Sequence, residues 1–347
     1  MDRNRATIKD IAEELNLSSS TVSRALSDRG RISQQVRTEV LNLARRWGYT
    51  RNPFALNLHN NRSNHIGLIL PEFTHHYFSQ ALKGIDQVVN EKGYHLIVNT
   101  HNNDCGKEAN AAKALNGLLI DGMIVSHAGN NGHFQYYKEL MLSGVPVVFF
   151  DRLFEDLNAS YIITDDFSGA QDAIDYLVNT GCKKIAYFCG PSDISTNFHR
   201  QMGYQEGIRK RCINTGSELI FPWDSDNERL KAKMKLFFTE HQIDGIFCFS
   251  DYIAYDALCV LCEMGINVPN QVSIIGFADE PVSSYCIPRI STIHQSAEMV
   301  GRRAAEILFW HLENPNDENF IIERLPTRLI LRESTKKTLN ALNELKE

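Results

Sequence analysis

The 347-residue sequence predicts an all-α head joined to an α/β body of two doubly wound, parallel-sheet lobes. Three observations predict it. The first 50 residues carry three short apolar stripes at helical spacing, each opened by a hydroxyl residue. From residue 65 the pattern changes to short apolar strands alternating with helical spacers. The charge divides in the same place. Residues 1–64 hold 11 Lys and Arg against 6 Asp and Glu, a net of +5, while the remainder holds 25 against 36, a net of −11. A basic head on an acidic body suits a head that alone meets a polyanion.

In the head, Thr7 is placed to cap a first helix whose apolar stripe is Ile8, Ile11, Ala12 and Leu15. Asn16–Ser18 interrupts it, and Ser18 can cap a second helix with Val22, Ala25 and Leu26 inward. The outward face of that helix carries Ser20, Ser23 and Arg24, with Ser19 and Thr21 at its edges. Asp28–Arg31 turns the chain. Ser33 then opens a third helix with Val36, Val40, Leu43, Ala44 and Trp47 inward, ending at Gly48. Two helices across a tight turn, the second with a small polar face, make a helix-turn-helix. Hydroxyls and a helix N-terminus suit phosphates, and an arginine can take a guanine edge with two hydrogen bonds. The competing use is a solvated serine-rich face on a bundle. The local positive charge and the third helix favour DNA.

The body's strands read as "HIGLILP", "HLIVNTH", "DGMIVSH" and "VPVVFFD". After Asp151 the pattern restarts, and "SYIITD", "KKIAYFCG", a weaker "GSELIFPW", "GIFCFSD" and "VSIIGFAD" read as a second parallel sheet. Ligands of such sheets bind at the carboxyl ends of the strands. No GxGxxG follows the first strand, and neither GxxxxGK[ST] nor GxSxG occurs. With no nucleophile set beside a base, an enzyme is disfavoured, and no cofactor is expected. The eight cysteines read as reduced core residues, including Cys259 and Cys262 despite their CxxC spacing. The sequential His75 and His76 do not suit one metal ion. No apolar run is long enough for a bilayer, and the charged N-terminus does not read as a secretory signal, so a cytoplasmic protein is expected.

The stretch "IKDIAEELNLSSSTVSRALSDRGRISQQVRTEVLNLARRWGYTRN" resembles the N-terminal domain of the lactose-repressor (LacI/GalR) family of bacterial transcription regulators. The resemblance implies that Ser19, Ser20 and Arg24 read major-groove bases and that Thr21 and Ser23 grip phosphate. Arg31 falls in the loop that touches the flank of the half-site. Thr7 and Ser18, at the two helix starts, complete that DNA-facing set. A hinge follows, in which Asn52, Ala55 and Leu58 are implied to meet the minor groove, Leu58 as the wedge between base pairs. The family often has basic residues where this chain has Leu56 and His59, so its hinge carries less permanent charge.

The body resembles the same family's effector-binding domain, which is similar in fold to periplasmic sugar-binding proteins. Its markers are "IGLILP", "DDFSGAQDAIDYLVNTGCKKIAYFCGP", "GFAD", "ISTIHQS" and "LPTRLILREST". The implied domains are a DNA-binding head at 1–50, a hinge at 51–64, an effector-binding and dimerisation body at 65–335 and a tail at 336–347. Crossings near Thr164, Thr292 and Leu325 would give an N-lobe of 65–164 and 292–325 and a C-lobe of 165–291 and 326–335. The implied effector contacts are Tyr77, Phe78, Asp151, Arg200, Trp223, Ser250, Asp251 and Gln295. Two alternatives stay open: Tyr77 and Phe78 as packing at a helix start, and Asp151 with Arg200 as a structural pair between lobes. Where many sugar-responsive members have an aspartate, this chain has Ala278. The neighbouring Asp279 faces the other way on a strand and cannot replace it. The tail leucines 339, 342 and 345 are too few for a coiled coil. The implied function is a sequence-specific regulator, a repressor of carbohydrate-use genes, acting as a homodimer on pseudo-palindromic operator DNA under a sugar-like effector. The alternative is a sugar-binding protein without a transcriptional role.

Overall fold

A computed structural model describes residues 6–27, 32–49, 62–129, 134–154, 156–212, 219–317 and 319–337. The chain forms two compact units, Met1–Ser63 and Asn64–Glu347.

The first unit contains α1 (Ile8–Glu14), α2 (Ser19–Ser27) and α3 (Gln34–Arg46). Its starts are set by the hydroxyls. Thr7 closes a capping box with Asp10: its side chain accepts from the Asp10 N–H, and the Asp10 carboxylate accepts from the Thr7 N–H at 2.7 Å. Ser18 Oγ accepts from the Thr21 N–H at 3.1 Å, and Ser33 caps α3 in the same way through Val36. Asn16 turns the chain between α1 and α2 with a φ of 49°. Ile11, Ala12, Val22, Ala25, Val40, Leu43 and Ala44 form the core of the three helices. Trp47, expected inward, is the C-cap of α3 and is exposed.

In the second unit the first sheet has the order β11-β5-β4-β3-β1-β2, and every pair in it is parallel. Its strands are β1 (His65–Leu70), β2 (His95–Thr100), β3 (Gly122–Val125), β4 (Val147–Phe150), β5 (Ser160–Thr164) and β11 (Ile322–Leu325). Helices α4 (His76–Glu91), α5 (Cys105–Gly117) and α6 (Gln135–Leu142) follow β1, β2 and β3, and α12 (Ala297–Glu313) precedes β11. One face of the sheet packs on α4 and α12, the other on α5 and α6.

The second sheet has the order β12-β10-β9-β8-β6-β7. Its strands are β6 (Ile185–Phe188), β7 (Ile220–Phe221), β8 (Gly245–Cys248), β9 (Ser273–Ala278), β10 (Ser291–His294) and β12 (Arg328–Ile330). Helices α7 (Asp166–Asn179) and α8 (Ser195–Lys210) cover one face. On the other lie α9 (Asn227–Glu240) and α10 (Asp251–Glu263), followed in the chain by the short α11 (Pro281–Tyr285). The edge strand β12 runs antiparallel to β10.

Three expectations change. "SYIITD" is β5 and pairs with β4 and β11, so it closes the first sheet and does not open the second. "STIH" is β10, paired with β9 and β12, so the chain returns to the first lobe at Gln295 and not at Thr292. The cysteines are also not uniformly core: Cys182, Cys189 and Cys248 are buried, Cys105, Cys259 and Cys286 half-buried, and Cys212 and Cys262 exposed. Ionisation of the buried Cys248 thiol is opposed by burial, which raises its pKa. No helix among the described residues is long and apolar enough to cross a membrane.

Candidate functional site

Two surfaces carry the chemistry. On the first unit, α2 buries Val22 and Ala25 and turns the other way Ser19, Ser20 and Arg24, all exposed, with Thr21 and Ser23 half-buried at its sides. Ser18 Oγ lies 2.8 Å from both Ser20 Oγ and Thr21 Oγ1. The Arg24 guanidinium folds back one turn, donating from Nε to the Ser20 carbonyl at 3.3 Å. The helix therefore presents a row of short hydroxyls ending in one guanidinium. Thr7 and Ser18 are exposed at the starts of α1 and α2. Arg31, Asn52, Ala55 and Leu58 lie outside the described residues, as do the hinge positions Leu56 and His59 and the leucines of the tail.

On the second unit, a cavity of about 500 Å³ lies at the carboxyl ends of the strands of both sheets. Of the expected residues, Tyr77, Phe78, Asp151, Arg200, Trp223, Ser250 and Gln295 line it. Tyr77 and Phe78 sit in the first turn of α4, edge to face at 5.3 Å, and both are buried. The Tyr77 hydroxyl faces the Asp151 carboxylate without reaching full hydrogen-bond geometry with any group. Burial first, then the charge of Asp151, raise its pKa well above the usual phenol range. Asp151 follows β4 in a left-handed conformation with φ of 68°. Burial raises its pKa against the opposing pull of Arg152, whose Nε is 3.6 Å from its carboxylate. Trp223 lines the cavity and is 41% exposed.

Arg200 is the centre of the floor. Its Nε donates to Asp166 at 2.9 Å, Nη1 to the Phe249 carbonyl at 2.6 Å and Nη2 to Gln295 Oε1 at 3.5 Å. Its guanidinium lies 3.7 Å from the Phe277 ring centroid. Gln295 Nε2 in turn donates to Thr164 Oγ1 at 2.7 Å, and the Asp165 N–H donates to the Leu325 carbonyl at 2.8 Å. These bonds join Arg200 directly to two of the places where the chain crosses between sheets, at Asp166 and Gln295, and Asp165, next to Asp166, bonds the third. The partner of Arg200 is Asp166, not Asp151. Asp166 was within a quoted marker, "DDF", but its burial beneath Arg200 depends on how α7 and α8 pack.

Asp251 is a correction. It is fully buried behind the cavity wall, where it accepts from Thr292 Oγ1 at 2.6 Å and from the Glu280 N–H at 2.7 Å, and it does not line the cavity. Ser250 is the N-cap of α10, accepting from the Ile253 N–H at 3.4 Å. Ala278 lines the cavity, and Asp279 turns away to His294 and Arg332. Both have positive φ, 100° and 57°, so the strand end is twisted and keeps the two side chains apart. His75 pairs with Glu72 at 3.0 Å, and no group of metal-ligating side chains occurs among the described residues.

Burial raises the Asp251 pKa to about 8. The folded protein therefore keeps this carboxyl protonated over a range in which the unfolded chain is ionised. Unfolding then releases a proton, so its contribution to stability falls as pH rises from about 4 towards about 8. Asp251→Asn removes that slope. Urea unfolding of both proteins across this range should show wild type losing stability relative to the variant as pH rises; parallel curves would refute the assignment.

The geometry defines a class: a helix-turn-helix unit coupled in one chain to a two-lobed α/β body with a ligand-sized cleft. Residues 7–52 match the bacterial regulatory proteins of the lacI family, and residues 174–335 match the periplasmic binding protein-like domain. The chain belongs to the lacI family of bacterial regulatory proteins, which are DNA-binding transcription regulators. It is 30% identical over 308 residues to the HTH-type transcriptional repressor CytR of Escherichia coli K12, covering 87% of this chain and 89% of that one. It is 27% identical over 338 residues to the ribose operon repressor of Halalkalibacterium halodurans, covering 97% and 99%. Its fold matches the crystal structure of the lac repressor dimer bound to operator and the anti-inducer ONPF, with a TM-score of 0.79 at 21% identity, covering 96% of this chain and 100% of that one.

Proposed function

We propose that the chain is a cytoplasmic transcriptional repressor, not an enzyme. In this reading it binds a pseudo-palindromic operator as a homodimer and answers to a small sugar-like effector held in the cleft. The observation that carries the reading is the position of Arg200, which faces the cavity and bonds to the crossings between lobes. An effector that engages Arg200 acts on the residues about which the lobes pivot. Tyr77, Phe78, Asp151 and Gln295 share that cavity, with Ser250 and Trp223 towards the second lobe. The buried Tyr77 hydroxyl, beside Asp151 but short of full hydrogen-bond geometry, is suited to an effector hydroxyl. On the head, the exposed Ser19, Ser20 and Arg24 are assigned to base edges and the half-buried Thr21 and Ser23 at the sides of α2 to phosphates.

The test is calorimetric. A ligand moves operator binding only by binding the two states unequally, and a coupling of about 1–3 kcal/mol corresponds to roughly 5–150-fold in affinity. Sugars that alter gel shifts of the operator should bind the cleft with affinities changed by the same factor when operator is present. Identical effector affinity with and without operator would remove the regulatory role. Arg24→Ala should cost about 1–3 kcal/mol on the cognate operator and relax preference at one base pair. Uniform weakening on all sequences would assign Arg24 to phosphate instead.

A further inference from the structure

Helix α4 has no cap of its own. Its N-cap residue, His75, makes no side-chain hydrogen bond to the first turn. The cap comes from the other lobe. Glu280, which follows β9, accepts from the His76 N–H at 2.9 Å and from the Tyr77 N–H at 3.1 Å, one on each carboxylate oxygen. The Tyr252 hydroxyl donates to the same carboxylate at 3.4 Å. The positive φ of Ala278 and Asp279 turns the chain so that Glu280 reaches across the cleft. Glu280 is 2% exposed and lines the cavity with Tyr77, whose buried hydroxyl faces Asp151 without reaching full hydrogen-bond geometry.

A helix N-terminus with two inward N–H groups holds anions well, because the helix dipole adds to the hydrogen bonds. Here that place is taken by a carboxylate of the chain itself. The positive charges among the described lining residues already have partners. Among the described lining residues only Arg152 and Arg200 carry a fixed positive charge. Arg152 is bonded to the carbonyls of His127 and Ala128, and Arg200 to Asp166 and the Phe249 carbonyl. Against them stand Glu72, Asp151, Asp224, Asp256 and Glu280.

We propose that Glu280 fills, from within the chain, the anion subsite at the N-terminus of α4, and so restricts the cleft to effectors without a phosphate or carboxylate at that end. The proposal rests on the reading of the cleft as the effector site. It makes Glu280 a specificity-determining residue, and it makes an effector rich in hydroxyl or amino donors the chemical class that the cleft selects.

The experiment is a titration of the full chain with inorganic phosphate, followed by calorimetry, for wild type, Glu280→Ala and Glu280→Ala combined with His76→Pro. Proline is tolerated at the first helical position, and His75 is already extended with φ of −76° and ψ of 129°, so His76→Pro removes one N–H without breaking α4. Glu280→Ala should bind phosphate at least tenfold more tightly than wild type, and His76→Pro should take that gain away. Glu280→Gln, which keeps the shape and loses the charge, should gain in the same direction by a smaller factor, and it serves as the test if the alanine variant does not fold. No gain in either variant, or a gain that survives His76→Pro, overturns the proposal. Neither result bears on the response of operator binding to sugars, so the failure of this proposal and of the effector reading are told apart.

Discussion

Arg200→Ala should lower the stability of the body by about 3–5 kcal/mol, the cost of leaving one member of a buried pair without its partner. The side chains of Arg200 and Asp166 are 5% and 4% exposed, so water does not replace the lost charge. The variant also strips a donor from the Phe249 carbonyl and a cation from the face of Phe277. Asp166→Asn in the same chain should recover about 1–3 kcal/mol, because the orphaned carboxylate is gone. Urea unfolding of the two single variants and the double variant measures the coupling. A loss under about 1 kcal/mol for Arg200→Ala would mean that the guanidinium is held for a ligand and not for the fold.

Gly301→Ala should cost about 3 kcal/mol, the top of the usual range for overpacking. A methyl group there would stand 1.9 Å from the Ala81 carbonyl oxygen of α4. One turn on, a methyl at Gly84 would stand 2.0 Å from the Glu298 carbonyl oxygen of α12. The obstacles are backbone atoms on both sides, so no side chain can rotate away and the helices must separate. Gly117→Ala is the control, since a methyl there meets nothing within 4 Å. Thermal unfolding should show a marked fall for Gly301→Ala and almost none for the control. Equal behaviour would mean that α4 and α12 slide apart at little cost.

The head was legible because its signals are local. Thr7, Ser18 and Ser33 each bond a backbone N–H three residues away, a distance that sequence spacing encodes directly. The strands of the body were legible as elements for the same reason. Their partners were not. β5 follows the end of β4 by few residues and reads like the start of a new domain, yet it pairs with β11, each residue of which lies 161 positions after its partner. Seven of the expected cleft residues do line the cavity, and all but Arg200, in the second turn of α8, sit at or just after strand ends or at helix starts, where the fold class alone puts them near a ligand. Asp251 shares that place in sequence, but its rotation as the first residue of α10 sends it into the wall. Glu280 carried no signal, because its partners are 203 and 204 residues upstream and no periodicity spans such a separation.

The interleaving of the two sheets bears on synthesis. The first sheet is largely built by Thr164, but α12, which covers one of its faces, ends only at Glu313, and its edge strand β11 ends at Leu325. The ribosome therefore makes nearly all of the second lobe before the first can close. Until then the nascent chain exposes the Gly84 face of α4 and the unpaired edge of β5, both ready to associate with other chains. A message cut short between β10 and β11 leaves not one finished lobe and one missing, but a first lobe without its edge strand and a second without β12.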